Sequence, residues 1–172
     1  LILKNTNQIN KSIDNFEKYF KINPKKFEAY NNLGNIYRDK QKIDLAIINY
    51  LKSLEINTNY LIALQNFGVC LQSFWFSKYS DITEKHIINL LSKNKILRPV
   101  DIVDNLLRFI CLNVEYNSTI NNYKEILNKN SLDELINRSL NIKILIKLLK
   151  ITPVTEIKIK KFLKYLRSKI LL

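Results

Sequence analysis

At 172 residues and 47% hydrophobic content, the chain can bury a real core as one domain or two small ones, and it is too apolar to be disordered. A formal charge of +13 puts nucleic acid and anionic membrane among the partners to be weighed, while the absence of an 18-residue apolar run excludes an ordinary membrane-spanning helix. Cys70 and Cys111 stand alone beside apolar neighbours and lack metal-ligand spacing, as expected of buried reduced thiols in a cytoplasmic protein.

Only two glycines and three prolines punctuate the chain, and apolar residues recur mostly at spacings of three and four, so the expected fold is all-α. The two glycines, Gly34 and Gly68, lie 34 residues apart in matching surroundings. The same shift places Tyr30 on Leu64, Asn32 on Asn66, Leu33 on Phe67, Tyr37 on Leu71, Ser12 on Ala46, Phe16 on Tyr50 and Phe20 on Leu54. Size and polarity classes keep their phase, which is the mark of a helical repeat array. A glycine inside a helix costs about 1 kcal/mol against alanine, so two at one phase point to close passage of neighbouring backbones.

The run Tyr30, Asn31, Asn32, Leu33, Gly34, Asn35, Ile36, Tyr37, followed by Ala46, Tyr50, Ser53 and Leu54, resembles one full tetratricopeptide repeat over residues 27–60. Thr58 stands where that family prefers proline, a place that Pro24 does occupy one unit earlier. On this frame Leu1 falls just after the expected glycine of a first, truncated repeat, so the chain is expected to begin inside a first helix as a fragment. A partial third repeat runs from Leu61 through Gly68, and the aromatic run Phe74, Trp75, Phe76 and Tyr79 replaces its second helix. The array is therefore expected to span residues 1–73, with residues 74–172 forming a helical linker or capping domain.

Within that second part, Ser80 or Asp81 with Glu84 marks a helix reaching about Ser92, and Pro99 opens another to about Leu112 with Asp101 in its first turn. Asn117-Ser-Thr and Asn121-Asn122 read as a polar break before a short helix through Ile126. Ser131-Leu-Asp-Glu134 is a capping box for a helix to about Lys150, and Thr152-Pro153 starts a last one. With Phe74-Trp-Phe, Arg98-Pro-Val-Asp and the Leu145 to Leu172 pattern, this half is similar to the linker of some bacterial proteins in which a tetratricopeptide array precedes a catalytic domain, often an S-adenosylmethionine-dependent methyltransferase. That resemblance implies a non-catalytic N-terminal region of a methyltransferase or other transferase, with catalysis after residue 172.

The residues themselves supply no catalytic constellation, no cofactor loop and no metal set, and no cofactor is expected. His86, the single histidine, has no serine, cysteine or acid in a recognised relation to it and reads as a packed or surface residue. Asp101, Asp104 and Glu115 read as helix-start and surface carboxylates. The sequons at Asn117 and Asn137 read as chance matches in an asparagine-rich chain.

The charge surplus is concentrated in residues 131–172, which hold 10 basic against 3 acidic side chains, with Lys160, Lys161, Lys164 and Arg167 opposite an apolar face. A solvated helix face explains it, so nucleic acid and membrane surface are not the expected partners. The family resemblance implies instead a protein or peptide held along the first helices of the repeats, with Glu28, Asn31, Asn32, Asn35, Arg38, Gln65 and Asn66 as groove residues. Asn32 and Asn66 share one phase, and an asparagine amide can pair bidentately with a peptide backbone whatever its sequence. The family's carboxylate clamp is not supported, since Ile62 and Asn66 occupy its third-repeat basic positions.

Overall fold

The structure, a computed structural model, describes residues 2–93, 96, 98, 101–121, 142–144 and 146–147. Among these there is no strand, and the main helices are α1 (Ile2–Ile22), α2 (Phe27–Asp39), α3 (Ile43–Ile56), α4 (Leu61–Leu71), α5 (Asp81–Ser92), α6 (Val103–Cys111) and α7 (Val114–Asn121), with Lys143, Ile144, Ile146 and Lys147 also helical. The chain divides into two compact units, Leu1–Phe74 and Trp75–Leu172.

In the first unit, α2 and α3 form an antiparallel pair whose turn is made by Gln41 at φ 60°, the one non-glycine residue with positive φ among the described residues. Apolar residues at helical spacing then meet in one core: Leu33 from α2, Ala46, Ile47, Tyr50 and Leu54 from α3, and Ala63, Leu64, Phe67 and Leu71 from α4 are all buried. Full burial of one such large side chain contributes about 1.5–3 kcal/mol, so this layer supplies the drive that the weakly capped helices lack. Neither Lys26 nor Lys42 makes a side-chain cap at the starts of α2 and α3.

Gly34 is a packing glycine. A Cβ built there would stand 2.5 Å from Tyr50 Cε1 and 2.7 Å from Cδ1. The ring cannot retreat easily, because Tyr50 is fully buried and its hydroxyl donates to Asn35 Oδ1 at 2.8 Å. Lower on the same pair, Ser53 Oγ donates to the Phe27 carbonyl at 2.8 Å.

α1 is one uninterrupted helix from Ile2 to Ile22. It docks on α2 through Phe20, whose ring stacks on Tyr30 at 3.9 Å.

In the second unit, α5 begins where Ser80 accepts a hydrogen bond from the Thr83 amide at 3.4 Å. A ring cluster fills the space between its start and α6. Phe109 meets Phe76 edge-on at 4.9 Å and stacks with Tyr79 at 5.1 Å, and Tyr79 contacts Tyr116 at 5.8 Å. Trp75 lies outside that cluster, exposed, with the Arg108 guanidinium 4.5 Å over its ring.

Helix bounds here differ from expectation in three places. α6 starts at Val103 rather than Pro99, and Asp101 precedes it, held by Arg98 through two bonds of 3.1 Å. α7 runs straight through Asn117-Ser-Thr, because Asn113 Oδ1 accepts from the Glu115 and Tyr116 amides at 3.0 and 3.2 Å and so caps a helix where a break was expected. Ile142, inside the expected helix from Ser131, is not helical; its carbonyl accepts from the Ile146 amide at 3.1 Å. The remainder of that helix, the helix from Thr152, the short segment to Ile126 and the basic stripe lie outside the described residues.

Candidate interaction site

Residues 31, 35 and 38 recur at helical spacing, so Asn31, Asn35 and Arg38 form one stripe of α2. That stripe faces α4. Asn66 Nδ2 donates to Asn31 Oδ1 at 2.9 Å and to Asn35 Oδ1 at 3.1 Å, while its own Oδ1 accepts from Arg38 Nη1 at 3.1 Å. Asn35 Oδ1 also takes the Tyr50 hydroxyl, which ties α3 into the same network. The amide of Asn66 thus spends both protons and its oxygen inside the protein, which is at variance with a role as a free rung of a peptide ladder.

Asn32 behaves differently although it sits at the same repeat phase. One residue turns a helix by about 100°, so Asn32 leaves the stripe of Asn31 and points back toward α1. It is exposed and lines a cleft of about 480 Å³ with Ser12, Asn15, Phe16 and Tyr19 of α1 and with Ala29 and Glu28 of α2. Glu28 Oε2 lies 3.5 Å from Lys26 Nζ and accepts no hydrogen bond. Gln65 is exposed on α4, one residue before the network. The structure therefore gathers Asn31, Asn35, Arg38 and Asn66 into a seam between helices, and leaves Glu28 and Asn32 at the cleft.

Residues 27–60 match the tetratricopeptide repeat family. No curated protein and no solved structure matches the chain. The tetratricopeptide match covers α2, α3 and the turn leading to α4, the segment in which Tyr50 packs on Gly34. Repeats of this family are protein-interaction elements and are typically non-catalytic.

Burial governs the titratable groups around the seam between α2 and α4. It pushes the Tyr50 hydroxyl well above the usual phenol range, with the nearby Arg38 charge opposing in part, and it raises the Cys70 thiol in the same way. Tyr37 is raised by burial and by Glu17. In the second unit Tyr79 is raised by burial and by its hydrogen bond to Glu84, and burial lowers His86, aided by Lys85. Such shifts keep these groups neutral at ordinary pH. Among the described residues no group of three or more His, Cys, Asp or Glu could hold a metal ion, and no helix is long and apolar enough to cross a membrane.

Sequence reasoning missed the Asn113 cap and the spending of the Asn66 amide. A signal existed for the second: Asn31, Asn35 and Arg38 form a polar stripe on a helix whose Leu33 and Gly34 face the core, and such a stripe fits a neighbouring helix as well as it fits a peptide.

Proposed function

We propose that the chain is a protein-interaction scaffold whose tetratricopeptide unit holds a protein or peptide partner against the first helices of its repeats. The observation that carries this reading is the division of labour among the asparagines. Asn31, Asn35 and Asn66 lock α2 to α4, so that Asn32, Glu28 and Gln65 are presented from a fixed frame at accessible positions. A pre-ordered surface loses less entropy on binding, which is how a rigid array gains affinity.

The test uses the chain as bait and compares the proteins it retains with those kept by two variants. Replacing Glu28, Asn32 and Gln65 by alanine should reduce retention at least tenfold, since several net hydrogen bonds of about 0.5–1.5 kcal/mol each would go. Reversing Lys160, Lys161 and Lys164 to glutamate should leave retention unchanged. The opposite pattern makes the basic stripe the working surface and overturns the proposal. The similarity of residues 74–172 to linkers of methyltransferase-like proteins supports a finer reading, a cytoplasmic recruitment region ahead of a bacterial transferase domain. Saturable binding of S-adenosylmethionine to this chain alone would contradict that division of roles.

A further inference from the structure

The non-helical stretch that opens the second unit alternates its side chains. Phe76 meets Phe109 of α6 edge-on at 4.9 Å, while Trp75, one residue earlier, is 65% exposed. α6 repeats the alternation, since Phe109 is buried and Arg108 is exposed with its guanidinium 4.5 Å over the Trp75 ring. The inner ring pair therefore fixes the two backbones that carry the outer pair. The guanidinium is also unspent. Of the arginines among the described residues, Arg38 donates to Asn66 and lies 3.7 Å from Asp39, and Arg98 holds Asp101 through two bonds of 3.1 Å. Arg108 has only the ring face. Among the described residues it makes no ion pair and no hydrogen bond, although Asp104 stands one turn earlier on the same helix. Attraction to a ring face uses the charge of a guanidinium and leaves its five N–H donors for another acceptor.

We infer that Trp75 and Arg108 form a docking site for an acidic, apolar segment of a partner protein. A glutamate or aspartate carboxylate of that segment pairs with the Arg108 fork, and a neighbouring large apolar side chain covers the open area of the indole. The site lies within the second unit and does not depend on the groove reading. Charge chooses the occupant. A planar guanidinium matches a carboxylate bidentately, and the +13 charge of the chain draws acidic segments toward it. The same surroundings disfavour a run of phosphates. Residues 72–80 add only the exposed Lys78, and the exposed Asp104 repels a polyanion, which needs several cations along its path. Tryptophan and arginine are the side chains whose burial dominates many interfaces, and this pair is already held in place by Phe76 and Phe109 before a partner arrives.

The probe is a fluorescein-labelled, end-capped peptide of sequence Ser-Leu-Glu-Phe-Glu-Ser, titrated into the full chain by fluorescence anisotropy. It should bind saturably. Replacing both of its glutamates by glutamine, or its leucine and phenylalanine by serine, should weaken binding at least tenfold in each case. In the protein, Arg108→Gln should weaken the peptide at least tenfold and erase the distinction between its glutamate and glutamine forms. Trp75→Ser should erase the distinction between its apolar and serine forms. Both side chains are exposed, so the thermal melts of the two variants should match the parent, and the changes made on the peptide test the same contacts with the protein unaltered. Equal binding of the glutamate and glutamine peptides overturns the carboxylate contact, and no saturable binding overturns the site. An oligothymidylate that displaces the peptide and binds more tightly through Arg108 assigns the pair to nucleic acid and overturns the protein partner. The alanine variant of Glu28, Asn32 and Gln65 should bind the peptide as the parent does, even where it loses proteins in the bait experiment; loss of the peptide by that variant moves the site to the first unit and overturns the inference.

Discussion

In the first unit the amide of Asn66 finds Asn31, Asn35 and Arg38 on α2 and Glu28 Oε2 is the one buried side-chain atom without a hydrogen-bond partner among the described residues, whereas in the second unit both Glu84 Oε1 and His86 Nδ1 are so placed. The difference follows from how each unit is built. Repetition brings the same faces together at each step, so a polar residue on one helix has a partner about one period away in sequence. The second unit has no period, and its buried groups depend on single contacts such as the Tyr79 hydroxyl donating to Glu84. It relies more on side-chain caps, those of Ser80 and Asn113.

That contrast can be pressed by substitution. The largest effect is expected in the ring cluster: Phe109→Ala removes the side chain that Phe76 and Tyr79 pack against and should cost about 3–5 kcal/mol, read as a shift in the urea midpoint of the second unit. A loss below about 1 kcal/mol would mean that the rings contribute far less than their burial implies. In the repeat unit Gly34→Leu must displace a pinned Tyr50 and should cost up to about 3 kcal/mol in a denaturant or thermal melt. An unchanged melt would remove Gly34 as a packing glycine.

A smaller loss, about 1–2 kcal/mol, is expected for Asn66→Ala, which leaves Asn31 and Arg38 without their shared partner. Asn32→Ala should stay within about 0.5 kcal/mol of the parent, since its side chain is exposed. Equal effects of the two asparagine substitutions would show that the seam and the cleft do not differ. The smallest effect concerns acid. His86 has a lowered pKa, so below about pH 6.5 the unfolded chain takes up a proton that the native chain refuses, and stability falls as pH falls. Replacing His86 by glutamine should flatten the stability profile below about pH 6.5; an unchanged slope would place the acid sensitivity elsewhere.

The repeat unit was largely legible because its signals are redundant. Gly34, Ala46 and Tyr50 each point to the same register, and the structure packs Tyr50 against Gly34 and buries Ala46. The start of α5 was legible from Ser80, whose side chain does cap the helix. Where a single local signal competed with another, the reading failed. Asn117-Ser-Thr looks like a break by composition, yet Asn113 supplies a cap four residues earlier and the helix forms through it. For the candidate site, Asn32 and Asn66 share a phase in the repeat but not their surroundings. A helix stands behind one and open cleft behind the other, and only three-dimensional neighbours decide whether an amide is occupied.

Trp75, the only tryptophan in the chain, is the first residue of the second unit, exposed and lying beneath the Arg108 guanidinium. The protein thereby carries an optical label of the second unit alone. Indole emission, excited beyond the tyrosine band, will report the contact between Trp75 and α6, while the far-ultraviolet helix signal will report both units, the nine tyrosines being shared between them. Chemical unfolding followed at both wavelengths would show, without any added dye, whether the two units melt together or in turn.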